Sequence, residues 1–119
     1  MSKKGFVDYV LHDAMQGIRG VTVRAMFGGY GFYKNGVVFG IIADDVLYFK
    51  VDEKNLPPYK ERGSRPFTYE GKNRKMIAMS YWEVPVEILE DREGLAEWLD
   101  ASVAASQRKA KTKKKNRRA

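Results

Sequence analysis

The chain has 119 residues, a length that fits one domain, and at 44% hydrophobic and 13% aromatic it can bury a core. It contains no cysteine, which excludes disulfides and thiol chemistry and suits a reducing cytoplasm, the expected location. The formal net charge of +7 lies at one end: residues 107–119, QRKAKTKKKNRRA, hold eight Lys or Arg and no acid, whereas the other 106 residues hold 14 basic and 15 acidic side chains. A pI near 9.6 therefore describes a tail attached to a nearly neutral body.

The amino terminus, MSKKGFVDYVLHDAMQG, has its apolar residues interrupted by Asp8, His12 and Asp13, so it does not read as a signal peptide. No apolar run approaches the ~20 residues of a membrane span, and no membrane role is expected. Residues 4–17 carry Phe6, Val7, Val10, Leu11, Ala14 and Met15 at helical spacing. Ser2 is the candidate cap, and Gly17 and Gly20 end the helix. Val21, Val23 and Ala25 then alternate with Thr22 and Arg24 as a strand does.

The stretch GFYKNGVVFGIIADDVLYFKV reads as an antiparallel meander. Asn35-Gly36 between two apolar runs is a strong hairpin signal, because both turn positions need positive φ. Asp44-Asp45 marks a second turn. In DEKNLPPYKERG, Asp52 caps a short helix that starts near Pro57 and Pro58, and Gly63 suits its end. PFTYEGKNRKMIAMSYWEV is a second hairpin, with residues 70–74 as its loop. PVEILEDREGLAEWLDASVAASQ is helical, with Asp91 as cap and Leu95, Trp98, Leu99 and Val103 on one face.

These elements give the order α-β-β-β-α-β-β-α. The expected fold class is α+β: two layers, an antiparallel sheet of about five strands with its helices on one face. The expected domain covers residues 1–106. Residues 107–119 cannot bury a core and are expected to be a disordered basic tail.

Three glycines, Gly28, Gly29 and Gly31, fall within four residues among aromatics. A phosphate loop needs a strand, a glycine turn and then a helix facing the anion. Here Phe32, Tyr33 and a hairpin follow, and neither Gly-Lys-Ser/Thr nor G-x-G-x-x-G spacing is present. The glycines instead mark a bend in the sheet, a close crossing by a helix, or a Gly-aromatic binding surface.

The segments MFGGYGFY (26–33), VVFGIIADDVLYFKVD (37–52), PFTYEG (66–71) and MSYWEVP (79–85) occur in order over nearly the whole body. Together they resemble the N-terminal domain of the TfoX/Sxy family. The resemblance implies an α+β sandwich similar to type III secretion chaperones. It also implies a bacterial, non-enzymatic role: the best-known members regulate natural competence as co-activators with the cyclic-AMP receptor protein. Those full-length regulators carry a further C-terminal helical domain, in place of which this chain has a lysine-rich end. The resemblance brings no catalytic residue.

Reading the residues for chemistry agrees. His12, the lone histidine, has no nucleophile signalled beside it and reads as a helix-surface residue. Asp44 and Asp45 are adjacent and belong to a turn rather than to one pocket. No metal-ligand or catalytic spacing is present, and no cofactor is expected.

Lys60, Arg62, Arg65, Lys72, Arg74 and Lys75, with Phe67 and Tyr69 nearby, form a basic patch if the short helix and the hairpin loop adjoin, and an ordinary solvated loop if they do not. In the tail, Arg108, Lys109, Lys111, Lys113, Lys114, Lys115, Arg117 and Arg118 are the candidate nucleic-acid contacts. Tyr81 and Trp82, adjacent on a strand, face opposite sides of the sheet. Three readings follow in order. The first is a regulatory or interaction module that assists transcription through a protein partner, with homodimerisation open to it. The second is a nucleic-acid-binding accessory protein using its tail. The third is a small-ligand binder or enzyme of unknown type.

Overall fold

A computed structural model describes residues 3–118 apart from Phe27 and residues 72–75, with residues 3, 4, 77, 78 and 112–118 described by their backbone alone. Helix α1 (Lys3–Asp8) continues as a π-helical segment (Tyr9–Ala14), and the chain leaves it through Gly17 and Gly20, both at positive φ. Ser2, the expected cap, lies outside the described residues. Four strands follow: β1 (Val21–Met26), β2 (Gly29–Lys34), β3 (Val37–Ala43) and β4 (Val46–Lys50). After them come α2 (Pro57–Glu61), β5 (Pro66–Glu70), β6 (Met76–Glu83), α3 (Val86–Leu89) and α4 (Arg92–Arg118).

The fold is α+β, with one open antiparallel sheet of six strands in the order β1-β2-β3-β4-β6-β5. The count exceeds the expected five because the alternating segment Val21–Met26, which the expected order left out, is a full strand of the sheet, turning into Gly29–Lys34 at Gly28 (φ 79°). Both sequence-predicted turns are present, with Asn35 and Gly36 at φ 50° and 83° and Asp44 and Asp45 at 50° and 60°.

Period-two alternation sorts the side chains between the faces. The pairs Phe32↔Gly40, Gly40↔Phe49, Ile42↔Leu47 and Phe49↔Trp82 share the core face. Val7, Val10, Met15, Tyr59, Val84, Ile88, Leu95 and Leu99 from outside the strands complete the same core. Trp82 packs against this core, while Tyr81 points to the opposite face, the division expected for neighbours on a strand.

β2 and β3 lose register between Phe32 and Tyr33: Phe32 pairs with Gly40 and Tyr33 with Val38, leaving Phe39 as the extra residue of a bulge. Phe39 turns inward and meets Phe32 and Phe49 edge-on, with ring centroids 6.2 and 5.5 Å away. All three rings are fully buried.

Two glycines accommodate close strand approach. A Cβ at Gly29 would overlap the carbonyl oxygen of Ile42, and one at Gly40 would lie 2.9 Å from the Tyr48 carbonyl and 3.0 Å from the Phe49 ring. The neighbouring backbone at Gly29 is thus a strand, not the crossing helix that the sequence left open.

Polar contacts fix α4 across the sheet. The Arg92 guanidinium donates to the Gln16 side chain (2.8 Å), Lys34 pairs with Asp100 (3.1 Å), and the Ser106 hydroxyl donates to the Val38 carbonyl beside the bulge. Arg108 donates from Nε and Nη2 to the two Asp52 oxygens, at 2.6 and 2.8 Å. Asp52 does not cap α2, whose N-cap position is Leu56. Its carboxylate accepts the Lys54 N–H, while Asn55 accepts the Asp52 N–H and donates to the Lys50 carbonyl, so these residues close a separate turn before the helix.

Residues 107–118, expected to be disordered, continue α4 as helix. Packing residues Leu95 and Leu99 nucleate the helix. Ala, Lys, Gln and Arg extend it at little cost, and cations near its C-terminus complement the helix dipole.

Two predictions follow from this packing. Gly29→Ala forces the β2–β3 backbones apart and lowers stability by about 1–3 kcal/mol, read as a lower urea midpoint; an unchanged midpoint contradicts the close approach. The Arg108 bonds hold the Asp52 carboxyl down at about 2, from an ordinary 3.8. Its stabilising contribution is therefore full above the ordinary value and lost as pH falls through the depressed one. Asp52→Asn lowers the thermal midpoint near neutral pH, and the gap to the parent chain narrows from about pH 4 towards pH 2.

Candidate functional site

The helices cover one face of the sheet, and the other carries its own apolar surface. The register places Arg24, Gly31, Ile41, Tyr48 and Glu83 on this open face, and Lys50 beside Tyr81. The Lys50 ammonium lies 5.0 Å from the centroid of the Tyr81 ring, and Tyr48 meets Phe67 edge-on at 5.1 Å. Burial, then Glu83 and Asp44, push the Tyr48 hydroxyl upward. Burial also raises Tyr81, with Tyr33 adding to the effect. At neutral pH these phenols are uncharged, so the surface presents rings and hydroxyl donors.

A groove of about 530 Å³ runs across this face, lined by Met26, Ile41, Phe67, Tyr69, Met79 and Tyr81, with Gly28 and Gly29 in its wall. Gly31 leaves room for Met26 and Tyr33, whose atoms would lie 3.1 and 3.3 Å from a Cβ there. The glycine cluster thus serves both close strand packing and an apolar surface. Asp44, at the β3–β4 turn, is the one charged residue among the described residues that line the groove. Tyr69 (43% exposed) and Met79 (38%) present apolar area to solvent, which is the mark of a binding surface when such residues are contiguous.

The sequence reading did not assemble this site. Period-two alternation in VLYFKV, with Leu47, Phe49 and Val51 inward, was the available signal for Tyr48 and Lys50 facing outward. The groove itself joins residues from β1, β3, β5 and β6, which no local pattern brings together.

Of the predicted basic patch, Lys60, Arg62 and Arg65 fall among the described residues. Arg62 pairs with Glu87 at 3.3 Å and lies 5.7 Å from the centroid of the Trp98 ring. Arg65 shares a small cleft with Arg62, Ser64, Glu83 and Glu87, so acids are interleaved with the cations. Lys60 is exposed at the end of α2. Lys72, Arg74 and Lys75 lie outside the described residues. Arg108 is engaged by Asp52, while Lys109 and Lys111 are exposed on α4. Burial and then the Lys109 charge lower the Lys50 ammonium, with Asp52 opposing them. Lys113, Lys114, Lys115, Arg117 and Arg118 occupy the helical backbone beyond.

His12 is exposed on the π-helical segment. Among the described residues, no three His, Asp or Glu side chains gather as a metal site. No helix among them is long and apolar enough to cross a membrane. In the core, Tyr59 stacks at a tilt on Trp98 with 4.5 Å between centroids, and burial pushes its hydroxyl far upward. Ser102 lies near enough to offset part of that shift, but neither hydroxyl has a partner of hydrogen-bond geometry among the described residues. The pair is a polar seam inside the helix layer.

Among curated proteins, none matches the chain. The family model of the TfoX N-terminal domain matches residues 13–106, which span the sheet, the groove and the packed part of α4. The chain therefore belongs to the TfoX N-terminal domain family.

Proposed function

We propose that this chain is a non-enzymatic regulatory module that assists transcription, holding a protein partner on the open face of its sheet. The observation that carries the reading is the apolar groove between β1, β3, β5 and β6, on the face the helices leave uncovered. A groove with an aromatic wall and few charges suits an apolar peptide segment or helix face. Asp44, an acid at the rim, selects a segment carrying a Lys or Arg beside its apolar anchors. Membership of the TfoX N-terminal domain family supports a regulatory role, and the family's competence regulators point to a component of the transcription machinery as the partner. The small-ligand alternative would use the same groove.

The test is a photo-crosslinking residue in place of Met79 in the full chain, expressed in its own cells. One discrete adduct with a transcription protein is expected. It should weaken about tenfold with Asp44→Lys and disappear with Tyr69→Lys, since a charge in the groove wall repels both apolar and cationic anchors. Loss of the adduct on adding a small-molecule extract to purified protein, or an adduct insensitive to both substitutions, overturns the reading.

A further inference from the structure

The open groove does not use the most charged part of the chain. We propose that the C-terminal segment of α4, from Arg108 to Arg118, is a helical arm that enters the major groove of B-form duplex DNA. Eight Lys or Arg and no acid fall in these residues. Their backbone is helical, so at about 1.5 Å per residue the eight charges are spread over about 15 Å. That is roughly one cation per 2 Å, close to the duplex density of one phosphate per about 1.7 Å of axis. An α-helix with its side chains is about 10–12 Å across, and the B-form major groove is about 12 Å wide.

The arm is attached at a defined point. Leu95, Leu99, Ser102 and Ala105 are buried upstream of it. The Ser106–Val38 bond and the bidentate Arg108–Asp52 pair then hold α4 to the sheet where the arm begins. A duplex bound to the arm is therefore carried at a set position relative to the folded domain.

Other polyanions fit less well. Sequence-tolerant single-strand binding uses aromatic stacking, and no aromatic residue follows Trp98. Membrane-surface helices need an apolar face, and Ala110 is the only apolar residue in 107–118. The narrow major groove of A-form RNA does not admit a helix. The contacts proposed are to phosphates, which carry no base information, so binding is independent of sequence.

The experiment titrates salt against binding of the full chain to a fluorescent 20-base-pair DNA. Arg108 is left as the anchor. The seven cations beyond it give a slope of log affinity against log salt of up to about −6, from roughly −0.9 per phosphate neutralised. A full-length variant with Lys109, Lys111, Lys113, Lys114, Lys115, Arg117 and Arg118 all changed to Gln keeps helix propensity and the anchor. It should lose about 100-fold in affinity at moderate salt and flatten the slope by about 4 or more.

A second variant, Thr112→Pro, retains every charge but breaks the arm as a helix. It should weaken duplex binding about tenfold, with an unchanged thermal midpoint showing that the domain is intact. Duplex binding unaffected by the Gln series overturns the proposal. So does Thr112→Pro binding as the parent does, which reduces the segment to a shapeless polycation. Tighter binding to single strands, to duplex RNA or to phosphatidylserine vesicles than to duplex DNA overturns it too.

Discussion

Where β2 and β3 slip out of register, Phe39 has no partner across the strand pair and turns into the core, where Phe32 and Phe49 receive it edge-on. The packing of the sheet against its helices depends on this arrangement. Three phenylalanines from three adjacent strands form one aromatic knot, and deleting a ring of that kind costs about 3–5 kcal/mol in a typical core. Gly40, next to the bulge, keeps the β3 and β4 backbones close enough for the rings to meet. The Val38 carbonyl, beside the bulge, accepts the Ser106 hydroxyl, so the same irregularity that builds the core also positions the far part of α4.

Much of this architecture was legible in short stretches of sequence. Asn35-Gly36 and Asp44-Asp45 marked turns because few residues accept positive φ, and all four positions adopt it. Leu95 and Leu99 repeat at helical spacing, and both are fully buried. Other features were set by tertiary context. The bulge at Phe39 follows from competition between strand pairing and core packing, which local alternation does not record. Asp52 has the chemistry of a helix cap, yet Arg108, 56 residues away, claims its carboxylate. The basic segment resembles a disordered tail by composition alone, and its helix follows from the nucleated helix that precedes it. The candidate groove was least legible, because Met26, Phe67 and Met79 come from strands that are distant in sequence.

The apolar groove and the most basic segment lie on different elements. Aromatic rings, Met26 and Met79 line the groove, with Arg24, Lys50 and Glu83 elsewhere on the same open face, whereas eight cations follow one another in residues 108–118 of α4. Arg62 and Arg65 share their cleft with Glu83 and Glu87. A protein and a polyanion can thus occupy different parts of the molecule without competing for the same side chains.

An open sheet with β1 and β5 at its ends carries unpaired backbone at both margins, a template on which further copies could polymerise. The chain blunts each margin differently. β5 begins with Pro66, which has no N–H to offer, and spans five residues; β1 exposes Arg24 midway along its length. Proline and exposed charge at sheet margins disfavour fibrillar self-stacking, a constraint quite separate from the strength of the core.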